Sequence, residues 1–277
     1  MKNEFFLKTL LRPTWHRLKD IKKNIAIFLF ELLPQNTIDY LLERTISVKR
    51  NGSEVFSIRN MGFITRVRAS TFETKEPDTI EWLESFKEDD CLVDIGANVG
   101  MYSLYAASRG NKVIALEPQY FNITLLNLNI SDNKLMNKII AYPFSLHDKL
   151  TISSLNLLNG SGWGTSNSAF DRETGAHGDS LTYAYKQGSI GLSLDELCSM
   201  KDIKPNYIKI DVDGNEYLVL KGSIETLRMN SLVSVLVELA EDHPEYEDVL
   251  TLFRNENFSL IKKAPVGRCK NHIFSKN

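Results

Sequence analysis

The chain is poor in the features that would assign it quickly. It has three cysteines among 277 residues, Cys91, Cys198 and Cys269, widely spaced and without a Cys-x-x-Cys pair. That argues against a disulfide framework and a thiolate zinc site, and fits a reducing compartment. No charge of one sign dominates: 33 Lys+Arg against 35 Asp+Glu leave a formal −2, so no global field draws nucleic acid to the surface. Long hydrophobic runs are missing too. The most apolar stretch near the N-terminus, Ile25 to Leu33, contains Glu31 and stops at Pro34, far short of the ~20 residues of a membrane span. It lies too late for a signal peptide and no small-residue cleavage site follows it. A cytoplasmic location is therefore expected. No internal repeat is visible. What remains, 43% apolar and 25% charged, is ordinary globular material, enough for one large domain or two small ones.

Residues 1–45 carry apolar side chains at helical spacing, including Phe5, Phe6, Leu10, Leu11, Phe28, Leu29, Leu32 and Leu33, broken by Pro13 and Pro34. Lys2, Lys8, Arg12, Arg17, Lys19, Lys22 and Lys23 make the segment basic. It reads as the solvated face of accessory helices that could, with Trp15, contact an anionic membrane surface peripherally or an anionic substrate. Ile46, Val48, Val55 and Ile58 then flank Asn51-Gly52, a hairpin signal. We accordingly divide the chain into an N-terminal helical extension with hairpin, residues 1–69, and a main domain, residues 70–277.

Within the main domain, β-branched runs alternate with helical patterns, which predicts a doubly wound, mostly parallel α/β sheet. Strands are expected at Cys91–Ile95, Lys112–Leu116, Lys138–Pro143, Tyr207–Val212, Leu232–Leu239, Phe258–Lys262 and His272–Ser275, the last two joined near Pro265 and Gly267. Helices are expected at Pro77–Phe86, Met101–Ser108, Phe121–Asn129 and Asn215–Met229. Residues 160–191 hold seven of the fifteen glycines and read as an irregular lid, its aromatics Trp163, Phe170, Tyr183 and Tyr185 arguing against a disordered linker.

Chemistry concentrates at three places. CLVDIGANVG, residues 91–100, ends a strand at Asp94 and Ile95 and turns through Gly96, Asn98 and Gly100 into a helix. Glycine there admits unusual dihedrals and a close ligand. Asn98 and Met101 stand where the dinucleotide fingerprint G-x-G-x-x-G needs glycine and a small residue. The next strand, VIALEP, ends at Glu117, about 20 residues on and suited to a ribose. Together these features imply an adenosine-containing cofactor. YIKIDVDG, residues 207–214, places Lys209, Asp211 and Asp213 along one strand face by alternation, and the fourth strand belongs beside the first at the switch point. Asp94 and Asp211 would then face each other across the crevice, with Glu238 of VLVEL placed to pair with Lys209. Asp211 is costly in an apolar strand unless it is paired or meets a ligand.

KEPDTIEWLESFKEDDCLVDIGANVGMYSLYAA, with IALEP, LSLDEL and YIKIDVDGNEYLVLKG, resembles the FkbM family of S-adenosylmethionine-dependent methyltransferases over roughly residues 70–277. The resemblance implies the class I methyltransferase (Rossmann-like) fold, a seven-stranded sheet with an antiparallel last strand. It also implies S-adenosyl-L-methionine as cofactor and O-methylation of a hydroxyl on a sugar, glycolipid or secondary metabolite. The acceptor would be a small molecule or a glycan or lipid-linked sugar, with no nucleic acid as partner. On that basis Gly96, Asn98 and Gly100 take the methionine moiety, Asp94 its ammonium, directly or through water, and Glu117 the ribose, with Ser145 and His147 near the adenine edge. Asp211 lies near the sulfonium or the acceptor. Candidate bases are Asp213, His147, His177 and His243, His243 being preferred of the histidines for its crevice-side position. The family commonly has Glu where this chain has Asp213. His16 and His272 read as structural. Two carboxylates, Asp211 and Asp213, are too few to argue for Mg²⁺, and no metal is assigned. A nicotinamide-dependent oxidoreductase and a non-catalytic binding module are the competing readings. The first is opposed by Asn98, Met101 and the lack of a Tyr-x-x-x-Lys pair after the fourth strand. DNA or protein methylation is opposed by the lack of an Asn/Asp-Pro-Pro-Tyr run.

Overall fold

The computed structural model describes residues 34, 37, 44–158, 160–166, 168–180, 182–264 and 269–277. The helical pattern of residues 1–43 with its basic side chains, His16, and the connection at Pro265 and Gly267 fall outside them. The chain divides into Met1–Arg44 and Thr45–Asn277, and the elements named below belong to the second unit.

That unit opens with β1 (Thr45–Arg50) and β2 (Ser53–Arg59), the antiparallel hairpin signalled by Asn51-Gly52. The division placed at residue 69/70 moves to 44/45, because Val48, Phe56 and Ile58 are buried in the same apolar cluster as Leu104 and Leu125 of the main domain. Two helices follow, α1 (Phe63–Lys75) and α2 (Pro77–Glu84), the latter started by Pro77 at its first turn. Then β3 (Cys91–Ile95), α3 (Met101–Ser108), β4 (Lys112–Leu116), α4 (Tyr120–Asp132) and β5 (Ile139–Tyr142) alternate. Later come β10 (Tyr207–Ile210), α6 (Glu216–Lys221), α7 (Ile224–Arg228), β11 (Ser234–Ala240), α8 (Tyr246–Asn255), β12 (Phe258–Lys263) and β13 (Cys269–Lys276). The helix expected over Asn215–Met229 divides at Gly222, where a Cβ would lie 2.2 Å from the His147 carbonyl oxygen.

These strands form one seven-stranded sheet in the order β5-β4-β3-β10-β11-β13-β12, and only β13 runs against its neighbours. The reversal of strand order falls between β3 and β10, so a crevice opens there at the carboxyl ends. Strand alternation sorts side chains onto two faces. Val93, Ile95, Ile208, Ile210, Val235 and Val237 join the cluster covered by α6–α8 and by α5 (Leu194–Lys201). Leu92, Tyr207 and Leu236 join the opposite cluster under α1–α4. Two residues further along those strands, the same face carries Asp94, Lys209 and Glu238 in place of hydrocarbon.

The segment expected as an irregular lid is partly sheet. β6 (Ser145–Leu146), β7 (Thr151–Leu157), β8 (Ser168–Phe170) and β9 (Tyr185–Leu192) form a second sheet in the order β6-β9-β7-β8. β9 escaped detection because YKQGSIGL carries glycine and polar residues on both faces and is mostly exposed; its partner β7 supplies the pairing instead.

Candidate active site

A cleft of about 850 Å³ lies over the carboxyl ends of β3, β4, β10 and β11. Gly96, Asn98, Glu117, Ser145, Asp211 and Asp213 all line it, so six of the eleven candidate cofactor and base residues share one cavity. Its floor is made by backbone. Gly96 has φ +82°, and a Cβ there would stand 1.8 Å from the Asp211 carbonyl oxygen; only glycine lets β3 and β10 meet this closely. Asn98 follows at φ 52°, a region asparagine tolerates. Its side chain donates to the Thr165 carbonyl at 2.9 Å and accepts from the Val99 amide at 2.9 Å.

Glu117 is buried, and its two oxygens accept from the Asn98 and Gln119 amides at 2.8 and 2.9 Å. Burial pushes its carboxyl up to about 7 against the pull of those amides. It is thus oriented by main chain, leaving its remaining lone pairs for donors in the cleft.

The β10–β11 side is a buried charge network. Lys209, 1% exposed, donates from Nζ to Asp211 Oδ2 at 3.0 Å. Burial works against Lys209's charge, but Asp211, Asp94 and Glu76 together hold it protonated. Burial likewise disfavours an ionised Asp211; the Lys209 ammonium and a hydrogen bond with Glu238 reverse this and hold Asp211 low. Glu238 is driven well above the usual carboxylate range, first by the Asp211 charge and then by burial. The two carboxyls therefore hold one proton between them, on Glu238. The pairing of Glu238 with Lys209 expected from the sequence is corrected accordingly: Lys209 bonds Asp211, and Glu238 bonds Asp211 from the other side.

The remaining candidates lie elsewhere. Asp94 does not face Asp211 across the cleft; it is 1% exposed beneath the floor, accepts from Ser103 Oγ at 2.6 Å, and is raised by burial, partly offset by Lys209. Gly100 caps α3 at φ +89°, where a Cβ would meet Leu126 at 2.3 Å, so it serves helix packing. His147 is buried against Phe170, with Nδ1 2.7 Å from Asp148, and does not line the cleft. His243 lines a separate small cavity with Glu216, Tyr217 and Tyr246, accepts from the Glu245 amide at 3.1 Å, and is lowered by burial. His177 bonds Asp242 at 2.7 Å and approaches Cys269 Sγ at 3.7 Å, also outside the cleft. His272 is fully buried beside Tyr246, a structural position.

Several cleft residues had no sequence signal: Arg68 from α1, Asn122 from α4, and Thr165 and Ser166; Lys75 and Asn215 of the quoted motifs and Phe170 of the glycine-rich segment line it as well. Segment 160–166 is tied down by Arg68 Nε donating to the Gly164 carbonyl at 2.7 Å and by Asn122 bonding both the Gly164 amide and the Thr165 carbonyl at 2.9 Å. Trp163 packs edge-on against Phe121.

An adenosyl cofactor fits this donor set. Ser145 Oγ and Asn215 Oδ1 are buried, belong to residues lining the cleft and make no hydrogen bond among the described residues, and groups of that kind are normally satisfied by a partner. Sheet order, glycine turn and strand-end glutamate define a class I, S-adenosylmethionine-dependent methyltransferase. The Methyltransferase FkbM domain matches residues 94–260, more than half of the 277, and the chain belongs to that family. It is 27% identical over 198 residues to the hexuronic acid methyltransferase AglP of Haloferax volcanii, covering 71% of this chain and 75% of that protein. A crystal structure of an FkbM methyltransferase from Methylobacillus flagellatus KT superposes with TM-score 0.48 at 14% identity over 69% of this chain; the chain spans only 44% of that one. Precorrin-6y C5,15-methyltransferase from Geobacter metallireducens GS-15 gives TM-score 0.46 at 11% identity, covering 74% and 90%. No helix among the described residues is long and apolar enough to cross a membrane.

Proposed function

We propose that the chain methylates a hydroxyl oxygen of a sugar, free or within a glycan or glycolipid, with Asp211 as proton acceptor. The supporting observation is Asp211 itself: a carboxylate held ionised by the buried Lys209, in the same cleft as the Gly96 turn and Glu117. When bound, S-adenosylmethionine supplies an electrophilic methyl group on a cationic sulfonium. The Gly96 turn and Asn98 would take its amino-acid end, Glu117 the ribose hydroxyls, and Ser145 and Asn215 the adenine side. Asp211 and Asp213 line the same cleft, and the Asp211 carboxylate favours the cation electrostatically.

A sugar hydroxyl is a weak nucleophile at neutral pH, so a base within hydrogen-bond reach helps. Asp211 accepts the hydroxyl proton as the carbon–oxygen bond forms, and Lys209 keeps the carboxylate in place. Orientation in a closed cleft supplies the larger share, up to about 7–11 kcal/mol. Asp213 at the cleft wall positions the acceptor. A sugar is favoured over other hydroxyl compounds by the hexuronic acid named for the Haloferax volcanii relative. The three free cysteines support a cytoplasmic site of action. Peripheral membrane contact through the basic N-terminal segment stays a proposal, tested by flotation with anionic vesicles; an unbound protein would sink it.

Calorimetric titration with S-adenosylhomocysteine and separately with NADH tests the pocket. Micromolar binding of the first alone, weakened in Glu117→Ala, is expected. Binding of NADH instead would overturn the reading, and binding of neither would favour a non-catalytic module. Labelled-methyl transfer to sugar hydroxyls, lost in Asp211→Asn while S-adenosylhomocysteine still binds, tests the chemistry.

A further inference from the structure

A second groove opens beside the cleft, between α1 and segment 158–166, lined by Ile64, Val67, Thr71, Leu158 and Ser161. Arg68, Lys75, Thr165 and Ser166 line both spaces, so the two meet along that wall. Two cations stand at the junction, and they differ. Lys75 is paired with Glu76 at 2.7 Å, whereas Arg68 has no carboxylate within ion-pair distance among the described residues, although its charge reaches Glu117. Its single hydrogen bond among them, from Nε to the Gly164 carbonyl, fixes the guanidinium plane and leaves the two terminal nitrogens as a fork. Such a fork matches a carboxylate or phosphate in two-point contact.

Charge is divided along the path. The inner cleft holds Asp211, ionised, together with Asp213; the junction with the groove is basic. A cationic sulfonium belongs with the acids. An anionic group would be repelled from them and held at Arg68, while Ile64 and Val67, 39% and 37% exposed, offer apolar contact to the carbon face of a ring.

We propose that Arg68 recognises a negatively charged acceptor, a sugar bearing a carboxylate or phosphate, that lies along this groove and presents its hydroxyl to Asp211. The proposal rests on the sugar-methylation reading and adds the charge of the acceptor.

The test uses the full chain with Arg68→Gln, Arg68→Lys and, as a control on the same helix, the exposed Arg66→Ala. Glucuronic acid, glucose 1-phosphate and glucose serve as probes. Binding to the protein saturated with S-adenosylhomocysteine is read by saturation-transfer NMR, and turnover by labelled methyl. The expected result is preference for one of the acids over glucose. Its KM rises about 10- to 100-fold in Arg68→Gln, the range for losing a charged hydrogen bond. In Arg68→Lys it rises by only a few fold, and Arg66→Ala leaves it unchanged. S-adenosylhomocysteine affinity stays constant throughout, which also shows that the variants fold. Which acid is preferred separates carboxylate from phosphate. Loss of S-adenosylhomocysteine affinity in Arg68→Gln would assign Arg68 to the cofactor's own carboxylate and overturn the proposal. Use of glucose as readily as the acids, insensitive to Arg68, would overturn it and leave sugar methylation standing. Arg68-dependent binding of an acid with no methyl transfer to any sugar would uphold the anion site and sink the functional reading. No binding of any sugar would overturn both.

Discussion

The two walls of the cleft are built by different means. On the β3–β4 wall, main chain does the positioning: Gly96 admits the Asp211 carbonyl, and two amides hold Glu117. On the α1 and 160–166 wall, side chains tie distant segments together, Arg68 across 96 residues and Asn122 across 42. A backbone cradle tolerates no substitution at its turns. A side-chain wall can be rebuilt residue by residue. Between the walls lies the Lys209 network, where charge replaces hydrocarbon on the inner sheet face.

The largest effect is expected at that junction. Lys209→Met leaves Asp94, Asp211 and Glu76 without their shared buried cation. Removing one partner of a buried ion pair costs about 3–5 kcal/mol, so urea denaturation should show a loss of that size, accompanied by loss of methyl transfer. A change under 1 kcal/mol would mean that the carboxyls simply take up protons and that the network is not a structural unit. Next comes Gly96→Ala. The added Cβ overlaps the Asp211 carbonyl and strains a left-handed turn, a cost of about 3 kcal/mol. S-adenosylhomocysteine binding should vanish in calorimetry, because the floor can relax only by separating β3 from β10.

The legibility of the molecule in its sequence follows the same division. β3 and β4 were bounded to the residue by short β-branched runs, and Gly96, Asn98 and Glu117 sit where a local turn and a strand end must put them. The sheet order and the antiparallel β13 were legible through the family resemblance, not from the pairings themselves. Arg68 and Asn122 left no trace, since each reaches the cleft through tertiary contacts that no local pattern encodes. Asp94 and Gly100 were misplaced for a related reason. They belong to the same motif as Gly96, but alternation turns Asp94 under the floor and helix packing claims Gly100. His147 and His243 lie near strand ends in the sequence, yet Asp148 and Glu245 engage them away from the cleft.

A smaller effect, in cofactor affinity, is expected from Glu117→Gln, about 10- to 100-fold weaker for S-adenosylhomocysteine by loss of charged hydrogen bonds. The pH dependence sharpens the assignment. Glu117 is pushed up to about 7 in the folded chain, so the native state retains a proton that the unfolded chain releases near 4.5. Stability from this group is present below 4.5 and lost as pH rises through about 7. Ligand binding runs the other way, because ribose hydroxyls donate to the ionised form: affinity should rise with pH through about 7 and level off above. Glu117→Gln should flatten the affinity profile. It should flatten the stability profile only in part, since buried Glu216 is raised to about 7 as well. An affinity profile in the variant that still climbs would remove Glu117 from the ribose.

The smallest effect belongs to the other wall. Asn122→Ala removes the bonds to the Gly164 amide and the Thr165 carbonyl, but Arg68 still holds Gly164 and Asn98 still holds Thr165. With those ties remaining, the stability loss should be about 1 kcal/mol, and S-adenosylhomocysteine affinity should stay within about twofold, a shift of some 0.4 kcal/mol. Acceptor KM should rise by several fold, because the displaced segment carries Thr165 and Ser166 at the entrance to the cleft. The reverse result, cofactor affinity lost and acceptor KM intact, would show that segment 160–166 serves the cofactor and would erase the distinction between the two walls. Glu117→Gln and Asn122→Ala thus form a matched pair, one from each wall. Asn122 also lowers the Glu117 carboxyl through a side-chain hydrogen bond, so additivity of their effects on cofactor affinity and acceptor KM in the double variant would show that this contact carries little energy. Coupling through Asn98, which touches both Glu117 and Thr165, would appear as a departure from that sum.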